Sequence, residues 1–380
     1  SKLTGALPAI SGAALTNLPA GGVARNLIDN GAMEVAQRGT TSTGTSSVLT
    51  IDRFILFQQG ANEALTQSQE DVASGTTPYT LGFRKCFRIT NGNQTNADAA
   101  DYVWLRHIVE SQNLAKCGWN YTDANSKVTL SFWVKSSVAQ DFKGYLRTRD
   151  GTKQGYAFST GSLSANTWTK VTKVIPGASG IQFDNNNEAG LDINIAPFFG
   201  TNYSDAGTTE DVWTTYVSGQ RTAPSTSTWW LTDNATWEIT GIQLEVGATA
   251  SDFAHEDYAT TLTRCQRYFY TAMNANGAGE YMSWGIYLGA GKMMSVFYMP
   301  VPMRANPTVS FPTGTNYYGI YRADGNDQFD SLGSILGASK FAGNYFVNIE
   351  ILSGVSSTGG FSGTISAANS AVYVHFSAEL

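Results

Sequence analysis

Charged residues are unusually scarce in this sequence. Asp, Glu, Lys and Arg make up 14% of the 380 residues, against roughly a quarter in an average globular protein. Long solvent-exposed helices need charged outer faces, so the composition argues against them and favours β-sheet with many polar turns. The formal net charge is −6, and a nucleic-acid binder should carry a basic footprint. The short cluster Arg147, Arg149 and Lys153 is expected to be a solvated face of a hairpin.

Cysteine and histidine are also few. The three cysteines have no close spacing, so the sequence predicts neither a disulfide framework nor a zinc knuckle. We expect each to be a buried thiol, which suits assembly in a reducing cytoplasm. The three histidines lie far apart, and none has a partner at metal-ligand spacing. These six residues are Cys86, Cys117, Cys265, His107, His255 and His375.

Aromatic residues are abundant, at 12% with 9 Trp and 18 Tyr. They can fill the cores of β-sandwiches or form platforms that stack on sugar rings, and we expect most of them to be core. The clearest strand is 128–135, where Val128, Leu130, Phe132 and Val134 alternate with polar residues and should face inward. Further strands are predicted at 51–57, 167–175, 191–195, 294–299, 308–311, 345–352 and 371–376. One helical patch is predicted at 101–113.

The stretch from 237 to 270 organises the rest of the chain. Trp237 and Ile239 alternate in one phase and Ile242, Leu244 and Val246 in the other, so a β-bulge is expected across residues 240–241, where a glycine tolerates it. A polar turn at 247–252 follows. Apolar residues at 262, 265 and 269 then predict a short helix. This pattern indicates the closing edge of one domain and the hinge to the next.

The first 25 residues differ in kind from the rest. LTGALPA at 3–9 is echoed by LTNLPA at 15–20, and the segment is rich in Ala, Gly and Pro. It has too few large side chains to bury a core. It is interpreted either as a flexible linker or, as we favour, as the end of a fibre shaft in which small residues let three chains approach closely.

Three blocks resemble bacteriophage tail-fibre receptor-binding proteins. GIQLEVGATASDFAHEDY, followed by RCQRYFY, resembles the place where a carbohydrate-binding-module-like jelly roll ends and a C-terminal tip begins. NLIDNGAMEVAQRGT with LTIDRF resembles the opening of such domains. MPVPMRANPTVSF resembles a strand pair of the tips. The blocks occur in the family's order and span nearly the whole chain, although none of them carries chemistry.

The resemblance implies an all-β protein with three parts: a shaft segment at 1–25, a jelly-roll β-sandwich at 26–259 and a smaller β-sandwich tip at 260–380. It implies a homotrimeric virion adhesin, assembled in the bacterial cytoplasm, that joins other tail proteins through its N-terminus and binds host surface polysaccharide. Nucleic-acid binding, membrane insertion and enzymatic activity are not expected. The alternatives are a glycan-degrading tailspike and a capsid decoration fibre.

Exposed aromatic residues beside amides and carboxylates are the candidates for glycan contact. The densest such stretch lies in the tip, is expected to be a loop, and contains Tyr317, Tyr318, Tyr321, Asp324, Asn326 and Asp327. In the first domain, Trp213 and Tyr216 lie in a polar stretch. Trp229 and Trp230 are adjacent, so on a strand one of them must face outward, towards a sugar or a neighbouring protomer.

Two further sets of acidic residues are candidates for glycoside hydrolysis and for calcium binding. Pairs of carboxylates can hydrolyse glycosides, and the candidates are Asp184 with Glu188 and Glu210 with Asp211, although exposed turn acids are the favoured interpretation. The resemblance also implies a structural calcium, for which Asp52 and Glu245 are the candidate ligands because they lie in the matching blocks.

Overall fold

The fold is antiparallel β throughout, as predicted. The structure is a computed structural model that describes residues 25–323, 325–333, 346–351 and 354–380, so nearly all of the predicted shaft segment lies outside the described residues. Among those residues, no helix is both long and apolar enough to cross a membrane. The three helices are short: α1 is Thr77–Thr80, α2 is Ser111–Lys116 and α3 is Tyr258–Gln266.

Two large sheets form the first sandwich. Its strands are β1 Thr41–Gly44, β2 Val48–Leu49, β3 Ile55–Gln59, β4 Leu65–Asp71, β5 Lys85–Thr90, β6 Tyr102–Glu110, β7 Lys127–Ser136, β8 Asp141–Thr148, β9 Gln154–Ser162, β10 Thr169–Pro176, β11 Ala189–Phe199, β12 Trp213–Thr215 and β13 Thr236–Val246. One sheet has the order β1-β4-β5-β13-β7-β10 and the other β12-β9-β8-β11-β6-β3-β2. The chain crosses repeatedly between the sheets, as a jelly roll requires.

The alternation in β7 explains how this sandwich closes. Val128, Leu130, Phe132 and Val134 are all fully buried, as predicted, and join one continuous core between the sheets. The predicted bulge is also confirmed, because the pairing of β13 with β7 shifts between Thr240 and Gln243.

Two smaller sheets, built from residues 269–377, form a second sandwich, here called the tip. Phe297 of one sheet meets Phe376 of the other at a ring-centroid distance of 5.6 Å. The sheet orders are β14-β22-β17 and β19-β18-β21-β15-β16-β20. The strands are β14 Phe269–Asn274, β15 Tyr281–Gly289, β16 Lys292–Tyr298, β17 Thr308–Ser310, β18 Tyr318–Arg322, β19 Gly325–Phe329, β20 Phe346–Ile351, β21 Ser362–Ala367 and β22 Tyr373–Ser377.

Three local predictions were wrong. The helical patch at 101–113 is mostly strand β6, because Val103, Leu105 and Val109 lie two or four residues apart and face the core together; only α2 is helical. The strand predicted from residue 51 begins at Ile55, after a turn in which Arg53 has a φ of 73°. The residue at 269 lies not in the hinge helix but at the start of β14.

Hydrogen bonds and ion pairs join the sandwich to the tip. Gln37 Nε2 donates to the carbonyl oxygen of Phe269 at 2.9 Å, and Arg53 Nη1 lies 2.6 Å from Glu379 Oε2. Glu110 at the end of β6 accepts bonds from Arg267 Nε at 2.7 Å and the Tyr268 hydroxyl at 2.5 Å. Burial opposes ionisation of Glu110, but these donors outweigh it and lower its pKa. This seam therefore fixes the tip against the sandwich.

Candidate functional site

The predicted receptor loop is a β-hairpin rather than a loop. Strands β18 and β19 pair from Tyr318 with Phe329 to Arg322 with Gly325. Asp324 lies outside the described residues. Because strand side chains alternate between faces, the hairpin sends half of the predicted residues into the core and half to solvent.

Two of the predicted tyrosines pack against the tip core, one completely and one in part. Tyr318 is fully buried, stacks on Phe329 at 5.3 Å and donates its hydroxyl to the carbonyl oxygen of Pro312 at 2.7 Å. Tyr317 is half-buried and packs against the tip core. The prediction that Tyr318 contacts the receptor was wrong, because its position in β18 places the ring in the core. For Tyr317, which precedes β18, receptor contact stays a prediction.

The outer face of the hairpin borders a cleft of about 430 Å³, here called the tip cleft. Tyr321 pairs with Asn326 on this face, and Gly319 pairs with both Gln328 and Ser366. A Cβ at Gly319 would lie only 3.1 Å from Ser366 Oγ, so the glycine lets β18 and β21 approach closely beneath the cleft. The cleft thus offers an aromatic ring and two exposed amides, those of Asn326 and Gln328.

A second tyrosine, Tyr281, lies beside the cleft because of a bulge and contacts the ring of Tyr321. The pairing of β15 with β21 shifts between Tyr281 and Ser283, which turns Tyr281 to the outer face opposite Ser366. Its ring lies 5.7 Å from that of Tyr321 at an interplanar angle of 73°. Tyr281 is 63% exposed and Tyr321 is 44% exposed, so both keep a ring surface open to a ligand.

The inner face of the hairpin holds it rigid. Asp327 Oδ2 accepts bonds from the Tyr287 hydroxyl at 3.0 Å, the Ser356 backbone N–H at 2.8 Å and Arg322. Burial, followed by the Asp327 carboxylate, raises the pKa of Tyr287 to about 12. Asp327 was predicted as a sugar ligand, but its carboxylate instead orders the strands that carry Tyr321 and Asn326.

The paired tryptophans of the sandwich are core residues. Trp229 and Trp230 lie in a turn rather than a strand, and both are fully buried. Their indole N–H groups donate to the carbonyl oxygens of Thr236 and Asn96 at 3.1 and 2.8 Å, and Trp230 stacks on Phe198 at 5.2 Å. The prediction that one faces outward was wrong, because the turn lets both enter the core.

Trp213 and Tyr216 also serve the sandwich. Trp213 packs against the core and donates its indole N–H to the carbonyl oxygen of Pro176 at 2.7 Å. Tyr216 lies over the outer face of the seven-stranded sheet, 6.2 Å from the Tyr145 ring and 5.0 Å from the Arg147 guanidinium. Both residues are partly exposed, but each is already packed against protein groups.

The basic cluster is not a simple solvated face. Arg147 Nε and Nη2 both donate to Oδ2 of the fully buried Asp192, and Arg149 Nη1 lies 3.3 Å from the same oxygen. The predicted hairpin is present as β8 and β9. Its arginines neutralise a buried acid, which composition alone does not show.

The candidate calcium ligands are occupied by hydrogen-bond donors. Asp52 Oδ1 accepts from the Gln37 backbone N–H at 3.1 Å, and Glu245 Oε1 accepts from Ser251 N–H at 2.9 Å. Within the described ranges, no group of three or more His, Cys, Asp or Glu side chains is arranged to hold a metal ion. The structure gives the calcium prediction no geometric support.

The candidate hydrolytic acids occupy the surface of the sandwich. Glu188 lies 3.4 Å from Arg304 and Glu210 lies 3.0 Å from Lys143, so each faces a cation. Asp184 and Asp211 are exposed and accept bonds from Gln182 and Lys173. Exposed turn and strand-end acids describe most of this set, as favoured from the sequence.

The prediction of three buried thiols was confirmed, and the three histidines lie among protein groups. Cys86, Cys117 and Cys265 are buried free thiols. His107 is buried within the sandwich, and His375 lies in strand β22, as expected of structural residues. His255 bonds the Leu81 carbonyl oxygen at 2.8 Å and packs on Phe83, so its contact is within the sandwich.

Local sequence patterns predicted neither three residues that line the tip cleft nor Tyr281 beside it. Gly319, Gln328 and Ser366 lie on strands that meet only after folding, and Tyr281 faces outward only because of its bulge. The polar residues within the hairpin could have suggested an exposed polar face beside Tyr321. The distant β15 and β21 contributions could not be read locally.

No family model and no curated protein matches the sequence. Similar solved structures include the enzymatically active domain of bacteriophage CBA120 tailspike protein 4, with 10% identity over 59% of this chain and a TM-score of 0.30; the chain spans 22% of that structure. A CBM4 structure has 10% identity over 58% of this chain and 99% of its own, with a TM-score of 0.29. The CBM22-1–CBM22-2 tandem domain of Paenibacillus barcinonensis Xyn10C has 10% identity over 93% of this chain and 98% of its own, with a TM-score of 0.26. At these scores the likenesses do not bear on function.

Proposed function

We propose that this protein is a non-catalytic adhesin at the end of a bacteriophage tail fibre, built from identical subunits, that binds host surface glycan through the tip cleft. The observation that carries the proposal is the pair of exposed rings, Tyr281 and Tyr321, beside the amides of Asn326 and Gln328. Sugars present apolar ring faces and hydroxyls on one molecule, and this set of groups complements both.

The cleft is formed by strands rather than by a long loop. The Asp327 network holds β18 and β19 in place, so the rings lose little freedom when a ligand binds. Tyrosine also supplies contact area at low entropic cost. A single cleft of this size would bind weakly, and several identical subunits would raise avidity by roughly 10²-fold or more where geometry allows simultaneous contact.

The test is binding of purified full-length protein to host cells and to polysaccharide extracted from them. Changing Tyr321 or Asn326 to Ala should reduce binding at least about tenfold, which corresponds to roughly 1.4 kcal/mol, without changing the melting curve. The matched control is Tyr258→Ala, because Tyr258 is an exposed tyrosine far along the chain from the cleft.

Equal binding by the Tyr321 variant and the Tyr258 control would refute the assignment. A variant that also changed Tyr318 would be uninformative, because the Tyr318 side chain lies in the core and its loss would destabilise the tip. Release of reducing sugar from the polysaccharide by the wild-type protein would instead favour the alternative of a glycan-degrading tailspike, since an adhesin adsorbs without cleaving its ligand.

A further inference from the structure

One outer face of the tip carries exposed apolar side chains in an ordered array. On β15, Trp284, Ile286 and Leu288 point away from the core and are 54%, 36% and 51% exposed. On the neighbouring strand β16, Met294 and Val296 lie directly opposite Ile286 and Trp284. With Tyr298, which is 63% exposed, these six residues are here called the tip apolar face.

This arrangement differs from the scattered apolar residues found on most surfaces. The six side chains occupy alternate positions of two paired strands, so they form one contiguous patch rather than isolated contacts. The β15 sequence, YMSWGIYLG, contains no charged residue. The largest contiguous apolar patch on a typical monomer measures about 300–600 Å² and is often functional.

We infer that the tip apolar face is the contact through which one copy of this chain packs against another. This inference rests on the proposed assembly from identical subunits and does not depend on glycan binding. The six side chains expose on the order of 500 Å², taking about 150–250 Å² for a full aromatic side chain. A standard interface buries about 800 Å² per partner, so the face supplies most of an apolar interface core.

The chemistry of the face fits a second copy better than a charged partner. The chain has a net charge of −6, so identical copies repel one another through most of their surface. None of the six side chains is charged, so the centres of two such faces can meet without placing like charges opposite each other. The charged residues Lys292 and Glu350 lie at the border of the face, beside Met294 in the sheet. Identical surfaces that are neutral and apolar are therefore the best place for these chains to associate.

The contact would also border the tip cleft. Trp284 pairs with Thr364 on β21, and Thr364 pairs with Tyr321 on β18. The apolar face and the cleft are thus two strands apart on one sheet. Packing copies through this face would set their clefts close together, which is the geometry that multivalent binding requires.

The test uses the full 380-residue chain with the double substitution Ile286→Asp and Leu288→Asp. Light scattering at micromolar concentration should show wild-type oligomers and a variant whose oligomers dissociate at least tenfold more readily. The matched control is Leu81→Asp with Val217→Asp, which adds the same charge at exposed apolar positions of the sandwich. The control should assemble like wild type.

A milder variant, Trp284→Ser, guards against misfolding, because it removes apolar surface without adding charge. It should weaken assembly with an unchanged circular-dichroism spectrum. A monomeric wild-type protein, or a double variant that assembles like its control, would overturn the inference. Binding of host polysaccharide by the dissociated variant, at the weaker level of a single cleft, would show that the proposed function stands whether or not this interface does.

Discussion

The outer faces of the sandwich and of the tip carry similar aromatic residues in opposite settings. On the sandwich, Arg147 lies over Tyr216 and Arg221 lies over Trp104, each about 5 Å from the ring. On the tip, Tyr281 and Tyr321 contact each other and are 63% and 44% exposed. The difference teaches that an aromatic residue indicates a binding site only where cations and loops leave its ring open.

The largest expected effect concerns a tryptophan that sequence reasoning assigned to a ligand. Trp230→Ala should destabilise the sandwich by about 3–5 kcal/mol, because it leaves a cavity in a closed core and removes the stacking on Phe198. Urea unfolding measures this change. Tyr321→Ala serves as the comparison and should alter stability by no more than about 0.5–1 kcal/mol. Similar losses for the two variants would remove the distinction between the two faces.

The next effect concerns the seam between the two regions. Glu110→Gln should cost about 3 kcal/mol, because its buried carboxylate accepts bonds from Arg267 and Tyr268 and the cation would lose its partner. Glu188→Gln is the matched control, since Glu188 faces Arg304 across the same seam but is exposed. The control should lose about 0–1 kcal/mol in the same unfolding experiment. Equal losses would show that the seam is held elsewhere.

The sandwich side of the seam should become less stable as pH rises. Burial raises the pKa of Asp52 to about 6, against the opposing effect of Arg38. The protonated form of Asp52 is therefore favoured in the folded state. Its contribution to the free energy of unfolding is fully present below about pH 4 and is lost as pH rises through about 6. Relative to Asp52→Asn, the wild-type free energy of unfolding should fall by roughly 2–3 kcal/mol between pH 4 and 7. Parallel curves for the two proteins would contradict this.

The tip side should respond with the opposite sign. Burial, followed by the nearby Arg38, lowers the pKa of His375 to about 4, and its ring packs on Phe269 and Tyr373. The neutral ring is favoured in the folded state, so the stability it contributes above pH 6.5 is lost as pH falls towards 4. Wild type should lose stability on acidification relative to His375→Gln. A constant difference in the free energy of unfolding between the two proteins across this pH range would show that folding does not change the pKa of His375.

The features that the sequence predicted well are those set by neighbouring residues. The alternation in 128–135 placed four buried side chains correctly, and the bulge beside Gly241 followed from a phase change. A Cβ at Gly241 would lie 2.6 Å from Phe83 Cζ, and its φ is 65°, so glycine is required twice over. The all-β class and the buried cysteines came from the same local reasoning.

The features it missed depend on distant parts of the chain. Trp229 and Trp230 enter the core because a turn replaces the expected strand, and alternation rules do not apply to turns. Tyr318 and Tyr321 are three residues apart on one strand, so one is core and the other is exposed. Which strands lie beside Gly319 is set by sheet order, and no local pattern encodes that order.

The most direct test of the central claim compares glycan binding by matched tyrosine variants of the two faces. Isothermal titration with host polysaccharide should show lost binding for Tyr321→Ala and normal binding for Tyr216→Ala. Asn326→Ala should also lose binding, because the exposed amide of Asn326 lies opposite Tyr321 on the paired strand. Lost binding in Tyr216→Ala with normal binding in both tip variants would place recognition on the sandwich and contradict this account.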